Sequence, residues 1–217
     1  MERVLCLLIG YVFGLFQTSY LYGKMHGIDI RETGSGNAGT TNALRTLGKR
    51  AGIITLLGDA FKCVLAVVVV HLLYRSSRPE MLPLLSMYAG FGAVLGHNYP
   101  IQLGFKGGKG IAATAGIILS TTNVWVVLIC LAAFIAIVAT TRYVSVGSLV
   151  IVTIYLISVI VRIYTGSYNT SPKYYWEMIL IATLFLISAV LKHRENIKRL
   201  LNGTENKISF SSKKKEV

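Results

Sequence analysis

The run IAATAGIILSTTNVWVVLICLAAFIAIVAT, residues 111–140, decides the architecture. It is thirty residues long and almost wholly apolar, whereas one untilted helix needs about 20 residues to cross a bilayer core. A single helix would have to tilt strongly to fit. Thr121-Thr122-Asn123 offers a polar turn within it, so the stretch predicts a short helix over 111–120 and a second over 124–140.

Similar runs flank this one. Residues 4–22, 53–74, 146–163 and 174–191 each have the length and apolarity of a membrane span, and 81–95 becomes one with its neighbours. Across 217 residues the chain is 53% hydrophobic and only 14% charged, with a mean hydropathy of +0.60. A soluble domain carries roughly a quarter charged residues, so these values indicate an all-α polytopic integral membrane protein. The formal net charge is +13, yet the cations fall between apolar runs and form no nucleic-acid-binding surface. Segments 24–50, 106–109, Arg142 and the tail from Lys192 hold sixteen of the 22 Lys and Arg. Positive-inside bias wants them all cytoplasmic. That parity requires 111–140 to cross twice, giving about seven transmembrane helices, with the N-terminus outside and the C-terminus cytoplasmic. One tilted helix there would give six.

Residues 1–202 read as a single membrane domain and 203–217 as a basic, disordered cytoplasmic tail. The first apolar run has no small-residue cleavage site and reads as a retained helix. Cys6, Cys63 and Cys130 lie inside apolar segments and have no CxxC spacing, which suits buried hydrophobes better than disulfides. No His–Glu–Cys cluster has zinc spacing, and His26 and His71 take no role. Asp59 and Lys62 stand three apart within the second run and are expected to pair, because isolated charges at that depth are costly.

Polar, glycine-rich segments interrupt this apolar chain. Gly34-Ser35-Gly36-Asn37-Ala38-Gly39-Thr40-Thr41-Asn42 is followed three residues later by Arg45. Glycines let successive N–H groups turn toward one anion, and an arginine adds a bidentate phosphate contact. A plain helix cap needs far less polar material. The second segment runs from Gly96-His97-Asn98-Tyr99-Pro100 to Gly104-Phe105-Lys106-Gly107-Gly108-Lys109-Gly110. It misses the nucleotide-binding spacing G-x-x-x-x-G-K-[ST] by one residue, and Gly110 stands where a magnesium-binding hydroxyl belongs. A phosphate cradle with two lysine point charges fits better. Weaker on their own are the turn around Ser145 and Ser148, and the helix exit Lys192-His193-Arg194-Glu195-Asn196, where His193 and Asn196 share a face. Irregular polar backbone cannot face lipid, so these segments belong at a membrane surface or in a wet recess. A membrane enzyme handling phosphorylated substrates fits this, with a transporter or binding protein for a phosphorylated anion as the alternative. Paired half-helices and repeat symmetry, the marks of many transporters, are not evident.

Together the segments resemble the bacterial acyl-phosphate-dependent glycerol-3-phosphate acyltransferase family, PlsY. The stretch 34–42 is similar to its first motif, 96–100 with 105–110 to its second, and Lys192-His193-Arg194-x-Asn196-Ile197 to its last. Thr40 replaces a frequent Ala, and Cys63 stands where Gly is common. The chain also lacks the H-x-x-x-x-D signature of acyl-CoA-dependent acyltransferases. The resemblance implies transfer of an acyl group from acyl phosphate to the 1-hydroxyl of sn-glycerol 3-phosphate. Lysophosphatidic acid and phosphate result, with no cofactor or metal, at the cytoplasmic face of the cell's inner membrane among its lipids. Oligomeric state stays open, with a monomer as one option.

Resemblance and charge assign catalytic roles to Ser35, Arg45, Lys106, His193 and Asn196. Arg45, Lys106, Ser145, His193 and Asn196, with Lys109 nearby, would hold glycerol 3-phosphate. Ser35, Asn37 and the Thr40-Thr41-Asn42 turn would hold the acyl phosphate. Gly34, Gly36, Gly39, His97, Gly107, Gly108, Gly110 and Ser148 complete the substrate-binding set. Acyl phosphate is already activated, so no acyl-enzyme on Ser35 is needed. His193 between two cations would be a poor base, and a substrate phosphate oxygen could take the hydroxyl proton instead.

Overall fold

The computed structural model describes residues 1–208. The part of the expected tail at 209–217 lies outside the described residues. Ten α-helices and no strand are found among the described residues: α1 (Glu2–Gly14), α2 (Thr18–Met25), α3 (Thr40–Leu47), α4 (Lys49–Tyr74), α5 (Leu82–Asn98), α6 (Ile111–Thr121), α7 (Val124–Thr141), α8 (Val144–Tyr164), α9 (Tyr175–Lys192) and α10 (Arg194–Leu201). Five helical segments are long and apolar enough to cross a membrane: Glu2–Met25, Lys49–Tyr74, Val124–Thr141, Val144–Tyr164 and Pro172–Lys192. The most apolar of these, α7, turns Val124, Trp125, Leu128, Ile129, Leu131 and Ile135 outward, as a lipid-facing helix does.

The expected division of 111–140 is realised. Helix α6 ends at Thr121 and α7 starts at Val124, with Asn123 as its cap accepting the Val126 N–H at 3.0 Å. The hydroxyls of Thr121 and Thr122 donate back to the carbonyls of Ile117 and Ile118, and Arg162 donates to the Thr121 carbonyl at 2.7 Å. The carbonyls of Ile118 and Thr121 at the end of α6 are thereby satisfied by side chains.

The first apolar run, expected as one helix, breaks between Gly14 and Thr18. Leu15-Phe16-Gln17 contains no glycine or proline, so the cause is tertiary. Helix ends leave carbonyls unpaired, and three side chains supply donors, Gln17 from the break itself and Lys62 and Gln102 from elsewhere in the chain. Gln17 and Lys62 both reach the Gly14 carbonyl, Gln102 reaches that of Leu15, and Lys62 reaches that of Phe16 at 2.6 Å.

Helix α5 is the centre of the bundle, packed by α1, α4, α6 and α9. Gly10 and Gly14 line one stripe of α1, facing Gly92 and Gly96 on α5. A Cβ at any of the four would overlap backbone of the opposite helix. Small residues at fourfold spacing let two membrane helices approach this closely.

The connections gather at two ends. At one, Arg3 and Tyr88 both hydrogen-bond Glu177, Arg78 pairs with Glu2, and Thr170 donates to the Glu80 carbonyl. The turn after α6 is at this end too, because the Arg162 guanidinium that holds it stacks 4.0 Å over Tyr168. All the glycine-rich and polar segments lie at the other end. Helix α6 spans about 16 Å and α8 about 31 Å at 1.5 Å per residue. Gly110, which starts α6, is therefore recessed into the bundle.

If the α1–α5 contact depends on absent side chains, Gly92→Leu should lower the unfolding temperature in detergent by the equivalent of about 1–3 kcal/mol. Ile129→Leu, on the outward face of α7, is the control. Equal melting of the two variants would refute the close-approach reading.

Candidate active site

The first segment is a loop shaped by Asn42. Its side-chain oxygen accepts the Ser35 N–H at 2.9 Å, while its amide donates to the carbonyls of Ile30 and Thr33 at 3.0 Å each. Gly34 and Gly36 take left-handed backbone, at φ of 60° and 68°, where a side chain is strained. Asn42 is thus spent inside the loop. Gly39 caps α3, and the Thr40 hydroxyl is buried there with no hydrogen-bond partner among the described residues. Ser35 and Arg45 are exposed and Asn37 and Thr41 half-buried.

The second segment closes onto the end of α5. Gly108 N–H donates to the His97 carbonyl at 3.1 Å. A Cβ at Gly107 would strike that same carbonyl, and one at Gly108 would strike the His97 ring while lying 2.7 Å from the Ala38 carbonyl oxygen. The two glycine-rich segments therefore meet at Gly108. The left-handed Gly110, at φ of 75°, turns the chain into α6. Lys106 stays exposed, whereas Lys109 turns inward and donates to the Asn196 side-chain oxygen.

Around Lys109 the later segments assemble. The Asn196 amide donates to Glu205 at 2.6 Å, the Ser145 hydroxyl to the same carboxylate at 3.1 Å, and Arg199 to its other oxygen at 2.8 Å. Ser148, one turn along α8, bonds back to the Val144 carbonyl. His193 is buried and its Nδ1 lies 2.8 Å from the Ala189 carbonyl. A carbonyl only accepts, so Nδ1 carries the proton and Nε2 keeps the lone pair.

Burial, with the charges of Arg199 and Lys192 adding, lowers the Lys109 pKa to about 8. Burial, then the Lys109 charge, pulls that of His193 down to about 4. The depressing cause is thus desolvation and Lys109, and not the sequence neighbours Lys192 and Arg194. Lys192 instead donates to the Asn98 carbonyl at 2.8 Å. Burial pushes the Glu205 carboxyl upward, but hydrogen bonds from Asn196, Arg199 and Ser145 outweigh it and hold it below its usual value.

The structure so brings Lys109, Ser145 and Asn196 into one cluster, with His97, Gly107 and Gly108 directly beside it along the loop. Ser35, Asn37, Arg45 and Lys106 make no side-chain hydrogen bond to these groups among the described residues. Glu205 and Arg199 are site residues that the sequence reading missed. A usable signal was Gly203, a helix stop whose left-handed φ of 68° sends the chain back, with Thr204 N–H on the Arg199 carbonyl and Ile208 N–H on that of Arg142.

Residues 4–203 match the family profile described as glycerol-3-phosphate acyltransferase. The chain is 44% identical over 212 residues to a glycerol-3-phosphate acyltransferase of Clostridioides difficile, covering 94% of this chain and 95% of that one. It is 41% identical over 199 residues to one of Geobacter sulfurreducens, covering 92% and 94%. Two crystal structures of PlsY (YgiH), an integral membrane glycerol 3-phosphate acyltransferase, superpose with 27% identity and 96% coverage of each chain. The glycerol 3-phosphate form gives a TM-score of 0.79 and the lysophosphatidic acid form 0.77. With one family matched over nearly the whole chain, by sequence and by fold, the protein belongs to the glycerol-3-phosphate acyltransferases of the PlsY type.

Proposed function

We propose that the protein transfers an acyl group from acyl phosphate to the 1-hydroxyl of sn-glycerol 3-phosphate, releasing lysophosphatidic acid and phosphate. The convergence of both glycine-rich loops and the Lys109–Asn196–Ser145 cluster at one recessed end of an apolar bundle carries this reading. Two phosphates need anion sites and one acyl chain needs an apolar surround. The crystallised PlsY relative was captured in glycerol 3-phosphate and lysophosphatidic acid forms, which supports the same pair of molecules here. Purified protein supplied with acyl phosphate and glycerol 3-phosphate should form lysophosphatidic acid without metal, nucleotide or acyl-CoA. Uptake of glycerol phosphate into liposomes with no such product would favour the transporter reading instead.

Within the site, Arg45, Lys106 and Lys109 supply the charge for glycerol 3-phosphate. Asn196 and Ser145, tied to Glu205, position Lys109 and the hydroxyl-bearing end of the acceptor. Ser35, Asn37, Thr40 and Thr41, with the backbone that Asn42 shapes, face the acyl phosphate and polarise its carbonyl. The addition needs loss of the hydroxyl proton and stabilisation of charge on the carbonyl oxygen. His193 offers an Nε2 lone pair to orient the hydroxyl, but at a pKa of about 4 it is a weak base. A phosphate oxygen of the bound acyl phosphate takes the proton in this scheme. His193, neutral in the folded site above its lowered pKa, should impose no inflection on kcat between about pH 5 and 8. His193→Gln should then keep most of kcat and its pH profile. A fall of roughly 100- to 10,000-fold, with loss of the pH dependence, would identify a general base.

The same placement supports seven crossings, with the site at the cytoplasmic face of the inner membrane. Turn 121–123 stands at the end opposite Gly108, so α6 and α7 run out and back. The native Cys6, Cys63 and Cys130 are buried, which leaves engineered thiols readable. Ser167→Cys should label from outside intact cells and Asn202→Cys only after permeabilisation. Equal labelling would break the seven-helix scheme.

A further inference from the structure

Lys62 sits inside the bundle at 4% exposure, and its ammonium has four neighbours. The Phe16 carbonyl is 2.6 Å away, His97 Nδ1 2.9 Å, Asp59 Oδ1 3.0 Å and the Gly14 carbonyl 3.3 Å. An ammonium only donates, and carbonyls and an ionised carboxylate only accept. The Thr18 hydroxyl adds a further donor to the same Asp59 oxygen, at 3.0 Å. The ammonium has three protons: two go to the oxygens of Phe16 and Asp59, and the third, shared with the more distant Gly14 carbonyl, meets His97 at a lone pair. A proton on Nδ1 would place two donors face to face. The neutral His97 ring must therefore carry its proton on Nε2.

That second nitrogen points to a definite place. It abuts Gly108, beside the Ala38 carbonyl, where the two glycine-rich segments meet. The ring is 3% exposed, and its Nε2 makes no hydrogen bond among the described residues. Capping the broken first helix explains the bonds from Lys62 to Gly14 and Phe16. It does not explain a histidine held edge-on between that lysine and the loop. His193 is held in the opposite way, with Nδ1 protonated by its bond to Ala189.

We propose that Asp59 and Lys62 are a positioning pair that fixes His97 as an Nε2–H donor, aimed at an oxygen of a phosphate bound between segments 34–42 and 104–110. The inference rests on the acyltransferase reading for which phosphate that is, and on geometry alone for the donor. Lys62 is thus a positioning residue acting through His97, and its charge is neutralised by Asp59 so that it can remain in the bundle.

The test uses the full-length protein in nanodiscs with 15N-labelled histidine, the His97 signal being assigned by its loss in His97→Asn. Protonated and lone-pair ring nitrogens resonate at widely separated 15N positions. His97 should appear as the Nε2–H tautomer, and inorganic phosphate should shift that N–H proton. An Nδ1–H tautomer, a cationic ring, or an Nε2–H proton indifferent to saturating phosphate would each overturn the proposal. The variant Asp59→Asn/Lys62→Met removes both charges while keeping volume. Its ring should redistribute between tautomers, with phosphate binding about tenfold weaker, as for one hydrogen bond to a charged group. A folded variant with an unchanged tautomer also refutes the pair's role. Should it not fold, the wild-type phosphate titration still decides. Absence of acyl transfer in an otherwise positive experiment would sink the proposed reaction and leave the donor assignment standing, since neither measurement needs turnover.

Discussion

A helix that breaks inside an apolar bundle needs hydrogen-bond donors from elsewhere, and here one buried ammonium provides much of that need. Gly14 is buried, so its freed carbonyl must be satisfied within the protein. Lys62 reaches the carbonyls of Gly14 and Phe16, and Gln17 and Gln102 cover the remainder. With the break satisfied, α1 ends against the glycines of α5 while α2 departs along α4. Thr18, at the start of α2, then reaches Asp59. The charge that caps the helix is thus the one that touches His97 and, through it, the second glycine-rich segment. Fold and site share a single buried pair.

Much of this was legible from residue types alone. Thr121-Thr122-Asn123 announced the turn that divides 111–140, since hydroxyl and amide side chains can satisfy helix ends locally. The glycines of 34–42 and 104–110 announced close backbone, and at Gly34, Gly107 and Gly108 a Cβ would indeed collide. The i,i+3 spacing of Asp59 and Lys62 announced their pairing, observed at 3.0 Å.

What the sequence hid was non-local. Leu15-Phe16-Gln17 carries no breaker, and the donors that permit the break come from Lys62 and Gln102. His97 lies 35 residues from Lys62, so no local spacing could reveal that contact. Glu205 looked like one acid in a basic tail. Asn42 read as a ligand for substrate because its position in a polar loop does not disclose that the loop itself consumes its amide.

Glu205 also changes how the cations should be understood. Left alone, Lys109 and Arg199 would repel each other across a partly desolvated recess, and burial already lowers the Lys109 pKa to about 8. A carboxylate that accepts from Asn196, Ser145 and Arg199 offsets that repulsion and raises the fraction of Lys109 that stays charged. Asn196 relays the arrangement, donating an amide N–H to Glu205 while its oxygen accepts from Lys109. Two carboxylates therefore do parallel work in this bundle. Asp59 pairs with one lysine behind His97, and Glu205 favours the charged form of another beside His193. The two histidines present opposite edges, a donor at His97 and a lone pair at His193. In the proposed reaction the first would hold a phosphate oxygen and the second would orient a hydroxyl. Neither can be set by a solvent-exposed ring, which exchanges tautomers freely, so the recess that desolvates these groups also makes their roles distinct.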